Sequence, residues 1–191
     1  MSEPPQPRLL PLDTRLETAA QLVLRARIFY DLWFYFEEAK ARPPTLQVTE
    51  RFGEFFRFEP HAHFVAFVVH MAALFERRHR TINLQGLAKD LKAAELVPAQ
   101  TVAEVDALLE KAAPLLSKVT ILRSTLFAHR SASLPYDSVF KKANVTADEL
   151  RDLTDIALKI ANRLLLARGL RDHMFNHMPR EEAEAMLEAL T

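Results

Sequence analysis

The sequence predicts an all-α, up-and-down helical bundle of about five to seven helices, on three observations. Two capping boxes, Thr101-Val-Ala-Glu104 and Thr146-Ala-Asp-Glu149, each stand at the head of a long stretch with apolar residues at helical spacing. Eleven prolines divide the chain into segments of helical length. No run alternates apolar and polar residues between paired turn signals, and three glycines supply few tight hairpins.

The elements follow in order. Pro4, Pro5, Pro7 and Pro11 mark an irregular proline-rich arm over residues 1–12. From 13 to 41, Leu16, Ala20, Val23, Arg27, Ile28, Tyr30, Phe34 and Phe36 fall on a helical repeat. Residues 29–36 are aromatic nearly all round, which predicts burial on more than one side, and Pro43-Pro44 ends the helix. Residues 45–58 fit a short helix weakened by Gly53. Pro60 then suits a first helical turn, opening a central buried helix over 61–78. Asn83 caps a short helix reaching Leu96. The Thr101 box opens a helix that runs to about residue 130, with Pro114 as its kink site. Residues 131–144 read as a loop broken by Pro135. The Thr146 box opens a helix to Arg168, with Gly169 placed as its C′ residue. A short acidic helix follows Pro179 and holds Glu181, Glu182, Glu184 and Glu188. The expected organisation is therefore the arm 1–12, one helical domain 13–178, and an acidic C-terminal helix 179–191.

Composition removes several classes of function. A chain of 191 residues suits one domain, and at that size folding buries roughly 70% of the unfolded surface. Gly53, Gly86 and Gly169 stand too far apart to form a dinucleotide-binding turn or a P-loop. With no Cys, disulfides, thiolate metal sites and a cysteine nucleophile are excluded. Twenty-five Lys+Arg balance twenty-five Asp+Glu, so no overall field draws the chain to nucleic acid or anionic lipid. The N-terminal residues lack a basic-then-apolar signal, and the uncharged stretch 61–75 is shorter than the ~20 residues a bilayer requires. These features predict a cytoplasmic chain with no membrane partner.

Local chemistry is less even. Residues 115–142 carry Lys118, Arg123, Arg130, Lys141 and Lys142 against Asp137 alone. His61, His63 and His70 lie near one another on the central helix, and His173 and His177 are four apart. Neither group has the carboxylate of a H-E-x-x-H site, so no metal is expected. A serine-hydrolase elbow cannot be built from these glycines.

An Arg followed some four to six residues later by a His occurs at Arg57–His63, Arg123–His129, Arg168–His173 and Arg171–His177. Pro60 interrupts the first and Gly169 the third, leaving Arg171–His177 as the rival to Arg123–His129. On a continuous α-helix Arg123 and His129 stand about 120° apart and about 9 Å along the axis. Between them, an anion meets a guanidinium fork and a group that moves protons near neutral pH.

The segment Arg123-Ser124-Thr-Leu-Phe-Ala128-His129 resembles the signature of the HEPN superfamily, and within it the abortive-infection type of bacterial phage-defence proteins. Residues 81–87 look like that family's short middle helix, and 144–150 like the start of its last long one. The resemblance implies a four- or five-helix core with short extra helices. It also implies a homodimer in which the motifs of two subunits meet, and metal-independent endoribonuclease activity in phage defence or as a toxin, with an RNA substrate and an antitoxin partner. No cofactor is implied. By the same resemblance Arg123 neutralises the phosphate, His129 handles the proton, and Ser124 assists or holds Arg123. Lys118, Arg130, Lys141 and Lys142 supply the surrounding positive charge. Toxins silenced by adenylylation carry Tyr two residues after the His; this chain has Ser131 there. The alternative is a non-catalytic HEPN module that binds a partner protein or nucleic acid.

Overall fold

The computed structural model describes residues 9–39, 42–76, 81–124 and 141–191, and among them every regular element is helical. In chain order these are α1 (Leu12–Ala39), α2 (Pro43–Arg51), α3 (Gly53–Phe75), α4 (Leu84–Ala93), α5 (Ala99–Leu122), α6 (Ala147–Ala167) and α7 (Met178–Leu190). The all-α prediction holds.

Burial explains the arrangement. α1 presents Leu16, Ala19, Ala20, Val23 and Ala26 to one core, and small residues there let α3 and α6 pack closely on either side of it. α3 contributes Phe64, Phe67, Val68, Met71 and Leu74, while α6 contributes Leu153, Ala157, Ile160, Ala161 and Leu164. α5 closes the bundle against α6 with Val105, Ala112, Val119 and Leu122. A second, smaller core gathers Tyr35, Phe36 and Ala39 of α1 with Val48, Phe56, Ala183 and Leu187, so α7 docks on α1 and α2.

Several helix ends match their sequence signals. Asn83 accepts a hydrogen bond from the Gly86 N–H at 2.7 Å and caps α4. The Thr146 box is complete: the Thr146 hydroxyl accepts from Glu149 N, and Glu149 accepts from Thr146 N at 2.9 Å. Past α6, Gly169 takes φ +71°, and the bonds Leu170 N to Leu165 O and Gly169 N to Leu166 O close a Schellman turn.

Other expectations are corrected. Pro60 does not start a helix; it lies within α3, which begins at Gly53. Pro60 is buried with Phe56 and Phe64, and this apolar face sustains the helix through the missing donor. α3 consequently runs over Gly53–Phe75, 23 residues, starting eight residues before the helix expected over 61–78, and by length and composition alone it could cross a membrane. Its exposed positions hold Phe55, Phe58, Ala62 and Val69 beside Glu54, Arg57 and His61. The Thr101 box does not form either: α5 starts at Ala99 behind Pro98, so Thr101 is already inside the helix. Pro98 supplies the fixed φ of −59° that precedes the first turn. His173 and His177 lie in the non-helical segment 170–177, so they are not stacked on a helix face.

Candidate functional site

α5 carries the sequence-predicted residues. It stays α-helical to Leu122 and widens into a π turn at Arg123 and Ser124. Such turns are common at functional sites because they re-aim side chains out of the α register. His129 and Arg130 lie outside the described residues.

Arg123 is about one-third exposed, and its Nη1 donates to Glu76 Oε2 at 3.1 Å. Glu76 is the C-cap residue of α3, so this bond ties the end of α3 to the end of α5. Ser124 is exposed and its hydroxyl donates to the Ile121 carbonyl at 3.3 Å. Lys118 is engaged elsewhere: its Nζ donates to Glu149 Oε1 at 2.5 Å, joining α5 to the cap of α6. That ammonium, followed by the Thr146 backbone N–H, holds the Glu149 carboxyl below its usual range. Lys141 and Lys142 are exposed just before α6. The structure thus brings Arg123 and Ser124 together, and places Lys118 in an internal ion pair rather than beside them.

The rival Arg–His patterns separate on geometry. Arg57 and His63 share one uninterrupted helix, contrary to the expected break at Pro60. Arg57 pairs with Glu54 at 2.7 Å, and His63 Nε2 contacts Glu59 Oε1 at 3.0 Å. His63 and His70 both face the Phe29 ring, with centroids at 5.8 and 5.2 Å. Burial pushes the His63 pKa down. Arg168 pairs with Asp13 at 2.9 Å, and His173 contacts Glu17 at 3.0 Å across the bundle. Among the described residues no group of three or more His, Cys, Asp or Glu side chains could hold a metal ion.

One polar feature was not singled out from the sequence. Arg27 sits on the apolar face of α1 and its side chain is 4% exposed. It donates to Asp31 at 2.9 Å, to Asp155 at 2.7 Å and to the Thr154 hydroxyl at 3.0 Å. Phe175 covers the guanidinium, 4.4 Å from its ring centroid. The available signal was a lone arginine on an otherwise apolar helical repeat.

A family model for HEPN_AbiU2, described as AbiU2, matches residues 10–186. No curated protein and no solved structure matches the chain.

Proposed function

The chain belongs to the HEPN_AbiU2 family, a HEPN-type abortive-infection family, and from that premise we propose that it is a metal-independent endoribonuclease of phage defence, working in the cytoplasm as a homodimer. The observation that carries this reading is the state of Arg123. It stands at a π turn, partly open to solvent, and among the described residues Glu76 is its one carboxylate partner. A phosphate outcompetes a half-exposed carboxylate when it offers more oxygens to the same fork.

In this reading Arg123 neutralises the scissile phosphate and Ser124 holds or assists it. His129 takes the proton from a ribose 2′-hydroxyl, whose oxygen then attacks the adjacent phosphorus. The P–O bond to the 5′ oxygen of the next nucleotide breaks, and that oxygen takes a proton from solvent water, giving a 2′,3′-cyclic phosphate and a 5′-hydroxyl end. Arg130, Lys141 and Lys142 steer the RNA backbone, and Lys118 contributes only when it leaves Glu149.

RNA cleavage in EDTA tests it. Arg123→Ala and His129→Ala should each slow cleavage by about 10²–10⁴-fold, the usual loss for an oxyanion-stabilising or acid–base group. Cleavage that requires an added divalent metal, or that ignores both substitutions, rejects the site. A second reading, a non-catalytic module that binds RNA or an antitoxin protein, is favoured by the same Arg123–Glu76 pair, because the carboxylate already neutralises the arginine. RNA binding without cleavage by the wild type selects it.

A further inference from the structure

Met174 is 85% exposed, more than any other large apolar side chain among the described residues. Met178 follows at 58%, whereas Met71 is fully buried in the bundle core. A methionine ordinarily packs inside, filling irregular gaps, so two solvent-facing thioethers four residues apart are unusual. Between them lies His177, which is exposed as well. All three belong to the run His173-Met174-Phe175-Asn176-His177-Met178, where the chain passes from α6 to α7.

The backbone of this run is anchored on the bundle. Asn162 of α6 grips His173 at both main-chain groups. Its Nδ2 donates to the His173 carbonyl at 2.8 Å, and its Oδ1 accepts from the His173 N–H at 2.9 Å. The His173 ring turns to Glu17 on α1, and Phe175 turns to the Arg27 guanidinium. Residues 173 and 175 are thus the half-buried anchors, and Met174 and Asn176 alternate with them on the solvent side. The Asn176 side-chain oxygen accepts from the Met178 N–H at 3.0 Å and turns the chain into α7. His177 is the N-cap residue of that helix, yet its imidazole takes no part in the cap.

The donors lie within reach of one ion. At ~3.3–3.6 Å per residue, the Met174 and His177 Cα atoms stand no more than about 11 Å apart. Two side chains of about 4 Å each and two metal–ligand bonds of about 2 Å bridge that span. Met178 is the next residue along. The chemistry of the set then selects the metal. Two neutral thioethers and an imidazole bring no negative charge, whereas magnesium, calcium and zinc draw on carboxylate oxygen or thiolate. Thioether sulfur suits copper(I), and imidazole binds copper too. The missing H-E-x-x-H carboxylate, which argues against zinc, has no bearing on so soft an ion.

We infer that Met174, His177 and Met178 form a three-coordinate site for copper(I) at the entry to α7. The site stands whether or not the chain cuts RNA, and it shares no residue with the Arg123 corner.

Isotope-labelled methionine methyls in the full chain read the site, because buried Met71 and exposed Met186 serve as internal controls. At about 100 µM protein, one equivalent of silver(I), the redox-inert surrogate, should move the Met174 and Met178 signals together. Those of Met71 and Met186 should stay in place. A break at one equivalent corresponds to a Kd below about 10 µM. Copper(I) without oxygen should act in the same way, and zinc(II) should move neither signal. Met174→Leu and Met178→Leu keep apolar bulk at exposed positions, so helical circular dichroism should not change. Each should weaken copper(I) binding by at least the ~10-fold that loss of even a supporting residue costs a metal site. Met186→Leu should leave it unchanged. A Met186 signal that shifts in step with the other two overturns the site, since any exposed thioether then binds as well. So does a titration in which neither or only one of Met174 and Met178 responds. Metal binding that survives both leucine substitutions also overturns it and assigns the run to its histidines alone.

Discussion

Two arginines of this bundle each rest on carboxylates and have opposite characters. Arg27 is 4% exposed, bonds two aspartates and a threonine hydroxyl, and is roofed by Phe175. Arg123 is 35% exposed and, among the described residues, has one carboxylate contact, at the irregular end of a helix. A buried charge whose donors are satisfied by fixed partners cannot exchange them for a ligand without opening the core, so Arg27 is structural. A half-exposed charge with one partner in high dielectric loses little by exchanging it, so Arg123 can trade Glu76 for another anion. The number and burial of partners, more than the residue type, separates a fixed cation from an exchangeable one.

The contrast is broken most directly at Arg27. Arg27→Ala strands the buried Asp31 carboxylate beside an apolar core, while Asp155 stays partly solvated, and should cost about 3–5 kcal/mol in denaturant unfolding. A loss below about 1 kcal/mol would show that water already reaches the knot.

Tyr30, next to Arg27, sharpens the same point. Its ring is buried, its hydroxyl donates to the Ala147 carbonyl at 3.0 Å, and burial pushes its pKa from 10.0 up to about 12. The fold favours the neutral phenol. This contribution is therefore fully present below about pH 10 and is lost as pH rises through about 12, amounting to about 2–3 kcal/mol. Alkaline unfolding of wild type beside Tyr30→Phe measures it, and identical pH profiles count against a dry interior around Arg27.

The smallest effect on stability belongs to the other arginine. Arg123→Ala and Glu76→Gln should each change unfolding free energy by less than about 1 kcal/mol, since the pair is partly solvated. Glu76→Gln should also tighten binding of a short single-stranded RNA, because it removes the competing charge. Weaker RNA binding by that variant would mean that Glu76 positions Arg123 rather than competing for it.

Much of the helical frame was legible from side chains that act on their own neighbours. Asn83, the Thr146–Glu149 box and Gly169 each satisfy backbone groups within three or four residues, so local sequence specifies them. In each failure another signal outweighed the one read, distant packing at Pro60 and His173 and a neighbouring proline at Thr101. Pro60 is tolerated within α3 because Phe56, Pro60 and Phe64 bury one continuous face, and Thr101 lost its cap because Pro98 starts α5 sooner. His173 has a helical spacing to His177, yet its backbone N–H donates to Asn162 and its ring meets Glu17, contacts made across the bundle. At the candidate site, sequence chose Arg123 and Ser124 but had no means to find Glu76, 47 residues away, or the Lys118–Glu149 pair, 31 residues apart.

The two separate cores also divide the molecule's breathing. α7 buries only Ala183 and Leu187, and both belong to the smaller core. One leucine and one alanine bring roughly 2–4 kcal/mol of transfer free energy to the docking of a thirteen-residue helix, most of which is spent on ordering it. The C-terminal helix therefore occupies the bottom rung of the stability ladder. It should peel away and re-anneal many times for each global unfolding, and its amides should exchange with solvent through that sub-global opening while the Arg27 knot stays closed.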